Sequence, residues 1–123
     1  MRPAKNRILE NVMRVELYTT PEGKSPVEKI LKTCTPSQET KILRQLQYIQ
    51  EFGLTPAIPN LKKIKETPLW ELRILGKDNI RILCAQIRKE VIVVFHIFVK
   101  KKMKTPKREI ILAMKRYQQE AGK

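Results

Sequence analysis

The chain has 123 residues, the length of one folded domain, and its 41% hydrophobic content includes no apolar run near the ~20 residues that cross a bilayer. Two cysteines without CxxC spacing and one histidine exclude a Cys/His zinc site, and with Asp78 as the only aspartate we expect no metal or other cofactor. The net charge is +14, and residues 57–123 carry 17 basic and 6 acidic groups, which favours nucleic acid over a membrane surface as partner; the alternative is that the charge serves only solubility.

The amino-terminal half predicts a strand followed by a helical hairpin. Residues 1–12 have mixed polarity and are expected to form an arm or a short helix, and the lack of a secretory apolar stretch there predicts a cytoplasmic protein. The β-prone segment VELYTT stops at the turn-forming PEGK.

Two helix starts follow the first strand. Ser25-Pro26-Val27-Glu28 and Thr35-Pro36-Ser37-Gln38 each combine an N-cap residue, proline at the first helical position, and Glu or Gln at the third. The first helix should run to about Cys34, and the second should end at a Gly53 cap. The helical spacing of the second predicts these core-facing residues: Ile42, Leu43, Leu46, Ile49 and Phe52.

The carboxy-terminal half predicts a β-meander and a last helix. After a proline-containing loop over residues 54–60, LKKIKE should begin an extended stretch. Strands are expected from Trp70, over residues 80–88 and over residues 91–99, and Thr105-Pro106 should begin the helix. The expected fold is α+β in the order β-α-α-β-β-β-α. The hairpin and the last helix should pack on a twisted, mainly antiparallel sheet.

The basic residues on the predicted strands are suited to phosphate chemistry. RNA carries its own nucleophile, the ribose 2′-hydroxyl, so a protein without metal can promote cleavage by orienting that group and stabilising charge on phosphorus. Arg73 and Arg81 lie in the middle of neighbouring strands, where a planar guanidinium can hold two phosphate oxygens. The alternative interpretation of these arginines is that they form ion pairs that stabilise the sheet, including one between Glu71 and Arg73.

Lysines flank the meander on both sides, and we expect their crowding to let one member of the set donate or accept a proton near neutrality. His96 has the most suitable ordinary pKa, although a lone histidine in an apolar strand is more often a packed core residue. Trp70 and Tyr117 can stack on bases, but their apolar spacing favours core packing. The lysines are Lys62, Lys63 and Lys65 before the strands, and Lys100, Lys101, Lys102 and Lys104 after them.

The segments LWELR (69–73), NIRIL (79–83) and VVFHIFVKKKMKTPKREIILA (93–113) resemble the RelE/HigB superfamily of toxin endoribonucleases, in particular its phage-derived Gp49-like HigB branch. The resemblance implies one RelE-like domain of the microbial-ribonuclease type over residues 1–123. It also implies the toxin of a type II toxin-antitoxin pair, a metal-independent and ribosome-dependent mRNA endoribonuclease. The implied partners are mRNA on the ribosome and a helix-turn-helix antitoxin, the latter in a hetero-oligomer.

The family's basic positions correspond to Arg73, Arg81, Lys100 and Lys101, and also to Lys63, Lys65 and Lys104, and His96 falls where this branch commonly has a histidine. Together with the charge pattern, this gives an expected catalytic set of Arg73, Arg81, Lys100, Lys101 and His96, and an expected RNA-binding set of Lys62, Lys63, Lys65, Lys102 and Lys104.

The chain departs from the branch at two positions, where Ile80 and Cys84 replace common aromatic residues. These departures leave two other hypotheses open. One is a basic RNA- or ribosome-binding module without cleavage activity, and the other is a basic face that only receives an acidic partner segment.

Overall fold

A computed structural model of the chain describes residues 13–100 and 105–123, so the arm or helix expected over residues 1–12 falls outside the described part. The described elements are β1 (Arg14–Leu17), α1 (Pro26–Thr33), α2 (Pro36–Phe52), β2 (Leu61–Lys63), β3 (Trp70–Ile74), β4 (Ile80–Arg88), β5 (Val91–Val99) and α3 (Lys107–Ala121). The α+β class is confirmed.

The predicted order lacked one strand, β2. Its three residues are too few to show the alternation that identifies a strand in a sequence. They become a strand because Leu61 and Lys63 pair with Leu72 and Trp70 of β3. In the described part of the chain the sheet therefore has five strands in the order β1-β5-β4-β3-β2, with β1 parallel to β5 and the other pairs antiparallel.

Both amino-terminal helices begin at their predicted caps. At α1, the Glu28 N–H donates to Ser25 Oγ at 3.2 Å. At α2, the Gln38 N–H donates to Thr35 Oγ1, and the Thr35 N–H donates to Gln38 Oε1, which is the reciprocal capping box. The chain leaves α2 at Gly53, whose φ of +76° is left-handed and suits glycine.

The apolar stripe of α2 is narrower than the sequence predicts. Ile42, Leu46 and Ile49 are buried, because positions i, i+4 and i+7 lie on one side of a helix. Leu43 and Phe52 were also expected to face the core, but they lie at the margins of this stripe and are 47% and 62% exposed.

The two faces of the sheet carry alternate rows of side chains. One row crosses β2 to β5 through Leu61, Leu72, Ile82 and Ile97, which are buried in the apolar core. The next row points to the opposite face, because successive residues of a strand alternate. This second row consists of Lys62, Glu71, Leu83 and His96, and the row of Arg73, Arg81 and Phe98 lies on the same face.

A β-bulge interrupts β5 next to this polar face. Leu83 pairs with His96 and Cys84 with Val94, so Phe95 is the extra residue in the ladder. The Phe95 ring packs against Tyr18 and against Tyr117 of α3. Helix α3 packs on β4 and β5, whereas α1 contacts β5 and α2 contacts β1.

Candidate functional site

Glu71 is the centre of a charged cluster on the polar face of the sheet. Arg73 Nε donates to its Oε1 at 3.3 Å, and Arg81 Nε lies 3.9 Å from its Oε2. The Thr105 hydroxyl donates to the same Oε2. Glu71 and Arg81 are only 4% and 5% exposed, so these charges interact away from bulk water. The Glu71–Arg73 pair lies within one strand, and the cross-strand ion pair is Glu71–Arg81.

A residue at the start of α3 contacts this cluster. The sequence predicts that Thr105 and Pro106 begin the helix, but Pro106 is the N-cap and, among the described residues, no side chain forms a capping bond there. The Thr105 hydroxyl lies one residue before the cap and is used by Glu71 instead. The start of α3 is thus tied to β3.

Arg81 is a buried cation whose charge is incompletely balanced. Its Nε has no hydrogen-bond acceptor within the described residues, and its Nη1 donates to the Ile80 carbonyl at 3.4 Å. Burial lowers the pKa of Arg81; Glu71 opposes that effect, and Arg73 adds to it. A buried charge of this kind is stabilised when an anion binds beside it.

Lys100 joins the cluster from the end of β5. Its backbone N–H donates to the Asn79 carbonyl at 2.9 Å, and Asn79 Nδ2 donates to the Lys100 carbonyl at 2.6 Å. Burial lowers the pKa of the Lys100 ammonium, and the cations of Arg81, Arg73 and Lys62 lower it further, while Glu71 opposes the shift. Its proton is therefore released more readily than that of an ordinary lysine.

We name the cavity beside this cluster the basic cleft. It has a volume of about 410 Å³. Of its described lining residues, five are basic and one is acidic, so its surface attracts anions. The described lining is Lys62, Lys63, Ile64, Lys65, Glu71, Arg73, Lys100, Thr105 and Ile110.

The three lysines near β2 are not equivalent. Lys62 lies directly opposite Glu71 and so projects from the polar face. The Lys63 ammonium donates to the Thr67 carbonyl and thereby holds the turn after β2. Lys65 lies within that turn and is exposed. Lys62 and Lys65 are better suited than Lys63 to contact an anion.

His96 lies on the polar face beneath α3. Its Nε2 is 2.6 Å from Glu109 Oε1, and its ring stacks on Phe98. Leu83 separates His96 from Glu71 in the sheet, which puts the two backbones about 10 Å apart at the usual strand spacing. Burial lowers the pKa of His96, Glu109 opposes the shift, and Arg116 adds to it. His96 is not among the described residues that line the basic cleft.

The structure also locates the remaining candidates. Trp70 and Tyr117 pack against the apolar core, which confirms the expectation for both. Cys84 is fully buried, and burial raises the pKa of its thiol to about 12, so it cannot exchange protons near neutrality. The predictions for Lys101, Lys102 and Lys104 fall outside the described residues.

Sequence reasoning did not assign a site role to Glu71, Thr105 or Asn79. The LWELR segment does indicate that Glu71 lies close to Arg73, because residues two positions apart in a strand project from the same face of the sheet. The contacts of Thr105 and Asn79 join residues 34 and 21 positions apart, so local pattern does not reveal them.

Two general features of the described part bear on function. Over residues 13–100 and 105–123, no group of three or more His, Cys, Asp or Glu side chains is placed to hold a metal ion. None of the three described helices has the length and apolar content that spanning a membrane requires.

Comparison with protein families identifies the chain's relatives. The model of the family described as "Phage derived protein Gp49-like (DUF891)" matches residues 29–118, a segment that contains every described residue of the basic cleft. No curated protein matches the chain. The matched segment is well over half of the 123 residues. The chain therefore belongs to the Gp49-like family of phage-derived proteins, which is a RelE/HigB-type toxin family.

Proposed function

We propose that this chain is a single RelE/HigB-like domain and the toxin of a type II toxin-antitoxin pair, and that it acts in the cytoplasm by cleaving mRNA on the ribosome without a metal. Family membership implies an antitoxin partner. We propose that this partner is a helix-turn-helix protein that forms a hetero-oligomer with the toxin.

The observation that carries the proposal is the excess of positive charge in the buried cluster. Arg73, Arg81 and Lys100 surround a single described carboxylate, that of Glu71. Two buried cations, Arg81 and Lys100, beside the half-buried Arg73 are costly unless an anion compensates their charge. A phosphodiester fits this need, because its two free oxygens match the donors of a guanidinium and its charge increases in the transition state.

The proposed reaction is transfer of the phosphoryl group to the neighbouring ribose oxygen. The 2′-oxygen forms a bond to phosphorus, its proton passes to water, and the bond between phosphorus and the 5′-oxygen breaks. Arg73 and Arg81 stabilise the negative charge on the phosphoryl oxygens. Lys100 donates a proton to the departing 5′-oxygen, a role that its lowered pKa favours. The products are a 2′,3′-cyclic phosphate and a 5′-hydroxyl.

A second candidate function is RNA or ribosome binding without cleavage. The described lining of the basic cleft contains no histidine, tyrosine or cysteine. This observation favours a site that holds phosphate but moves no proton.

Induced expression of the chain and of two arginine variants separates these functions. The proposed function predicts rapid growth arrest and mRNA cut at defined positions in translated frames. We expect Arg81→Ala to reduce cleavage by about 10²- to 10³-fold, as loss of a transition-state donor does. Arg88→Ala is the matched control, because Arg88 is an exposed arginine at the other end of the same strand.

Arg73→Ala serves as a second variant, since the Arg73 side chain is 35% exposed and its removal is less disruptive to folding than that of Arg81. Circular dichroism of each purified variant checks the fold. Intact mRNA in cells that arrest, together with toxin bound to ribosomes, supports the second candidate and contradicts cleavage.

A further inference from the structure

Two aromatic side chains are exposed on α2, outside its buried stripe. Tyr48 is 46% exposed and Phe52 is 62% exposed. They are four residues apart, so they are neighbours on the helix surface. Among the large hydrophobic residues exposed in the described part of the chain, these two are the aromatic ones.

These rings line a cavity of about 600 Å³, which we name the aromatic pocket. Its lining also includes Gln45, Thr55 and Asn60, whose side chains carry amide or hydroxyl groups, together with the apolar residues Ala57, Ile58 and Pro59. A pocket that combines flat aromatic surfaces with amide donors and acceptors matches a nucleobase, which has two apolar faces and a polar edge. An aliphatic segment would not use the amide groups.

A backbone hydrogen bond links one residue of the aromatic pocket to one residue of the basic cleft. The Asn60 carbonyl accepts a hydrogen bond of 2.9 Å from the backbone N–H of Arg73, whose side chain lines the cleft. Lys62 follows Asn60 by two residues, a separation of about 7 Å along an extended chain. That separation is comparable to one nucleotide step of an extended RNA strand.

The edge position of β2 allows an RNA strand to pass from one cavity to the other. The sheet order ends at β2, so β3 is its one neighbour among the described strands. Lys62 projects from this strand on the polar face, and Asn60 precedes it at the aromatic pocket. A strand whose phosphate lies in the cleft can therefore place an adjacent base over Tyr48 or Phe52.

We propose that the aromatic pocket binds an unpaired base of RNA, next to the nucleotide whose phosphate lies in the basic cleft. The proposal rests on the proposed function and adds to it a base-binding subsite. The overall charge of +14 agrees with a polyanionic occupant. An apolar segment of a partner protein is the competing occupant that the experiment must distinguish.

The test compares the binding of two single-stranded oligomers by fluorescence anisotropy. One is a short 2′-O-methyl RNA, which cannot be cut, and the other is the same backbone with abasic sites. We expect the Tyr48→Ala/Phe52→Ala double variant to bind the RNA about tenfold more weakly than the parent chain, as loss of base stacking predicts. Its affinity for the abasic oligomer should equal that of the parent chain.

Leu43→Ala is the matched control, because Leu43 is 47% exposed on the same helix but lines a different cavity. Its affinity for both oligomers should be unchanged. If the double variant binds RNA as tightly as the parent chain does, the base subsite is overturned. If Lys62→Ala nevertheless weakens RNA binding in the same assay, the proposed function still holds. Failure of the parent chain to bind the RNA overturns the base subsite, whereas the proposed function, which acts on the ribosome, is decided by the induced-expression experiment.

A crosslinking experiment gives an independent readout. RNA that contains 5-iodouridine should crosslink to Tyr48 or Phe52 upon irradiation, and mass spectrometry identifies the modified residue. Crosslinks found only at other residues contradict the proposal. If the double variant binds the antitoxin more weakly but RNA as tightly as the parent chain does, the aromatic pocket binds a protein partner, and the proposal of a base subsite is overturned.

Discussion

Asn79 and Lys100 are joined by two hydrogen bonds, one between their backbones at 2.9 Å and one from Asn79 Nδ2 to the Lys100 carbonyl at 2.6 Å. They extend the pairing of β4 with β5 past the last residue of β5. Asn79 has a φ of +50°, a left-handed conformation that asparagine tolerates better than most residues. The position of the Lys100 side chain, which is the proposed proton donor, thus depends on the turn that precedes β4.

Asn79 is expected to stabilise the fold in two ways, through its side-chain hydrogen bond and through its tolerance of the left-handed backbone, and two substitutions separate these contributions. Asn79→Gly removes the side-chain hydrogen bond but retains the left-handed backbone, so the free energy of unfolding should fall by about 1 kcal/mol. Asn79→Ala also introduces backbone strain and should cost about 1 kcal/mol more. Urea unfolding measures both values, and equal stabilities for the two variants would contradict the role assigned to the left-handed turn.

The sequence predicts those parts of the fold that depend on neighbouring residues. Ser25 and Thr35 identify helix starts because each cap bonds to an amide three residues away. The sequence predicts an extended stretch at LKKIKE but not that it is a strand of the sheet, because three residues carry no periodicity and their pairing with β3 is a tertiary contact. The bulge at Phe95 was also not predicted, because a change of register depends on the partner strand.

In the functional site, too, local features can be predicted from the sequence and tertiary contacts cannot. Arg73 and Arg81 are recognisable because an arginine within an apolar strand is unusual wherever that strand lies. The sequence reveals that their shared partner Glu71 lies on the same face of β3 as Arg73, but its contacts with Arg81 and Thr105 exist only when β4 and the start of α3 are assembled against β3. The residue type of His96 suits proton transfer, but residue type does not give its position. The sheet puts His96 beside Glu109, which occupies its Nε2.

Lys62 is expected to contribute one phosphate contact to RNA binding. It is exposed, and its position opposite Glu71 directs it to the polar face that borders the basic cleft. Lys62→Ala should reduce the slope of the logarithm of the RNA binding constant against the logarithm of salt concentration by about 0.7 to 1. Lys89→Ala, at the exposed turn between β4 and β5, should leave the slope unchanged. Equal slopes for all three proteins would exclude a phosphate contact by Lys62.

The two cysteines should differ in reactivity toward a thiol reagent at about pH 8. Cys84 is fully buried with a pKa raised to about 12, so it should not react in the native protein. Cys34 is half-buried, and burial together with Glu39 and Asp78 raises its pKa, so it should react slowly.

Serine variants assign this reactivity. Cys34→Ser should abolish the native reaction, Cys84→Ser should preserve it, and unfolding in urea should expose both thiols of the parent chain. Rapid modification of Cys84 in the folded protein would show that the sheet opens locally at β4.

His96 should make the protein less stable under mildly acidic conditions. Its pKa in the folded state lies below the ordinary value of 6.5, chiefly because of burial. The unfolded chain therefore binds a proton more readily than the folded chain does, and the contribution of neutral His96 to stability is lost as pH falls from 6.5 toward the folded-state pKa. The lowered pKa of Asp78 acts only below that group's ordinary value of 3.8, outside this range.

Urea unfolding at several pH values measures this dependence. The free energy of unfolding should decrease between about pH 7 and about pH 5 in the parent chain. His96→Gln retains a donor for Glu109 but cannot titrate, so its curve should be flatter over that interval. A parent curve as flat as that of the variant would contradict a depressed pKa for His96.

Lys100 should determine the alkaline limit of cleavage if it protonates the departing 5′-oxygen. A general acid must carry its proton, so the rate should fall as pH rises through the pKa of Lys100, which lies below the ordinary value of 10.5. Lys100→Arg keeps the positive charge and the phosphate contact, but a guanidinium holds its proton too strongly to donate it. This variant should therefore bind 2′-O-methyl RNA as the parent chain does and cut unmodified RNA more slowly at every pH. If it instead cuts at the parental rate, Lys100 acts only as a cation, and the proton must come from water or from the ribosome.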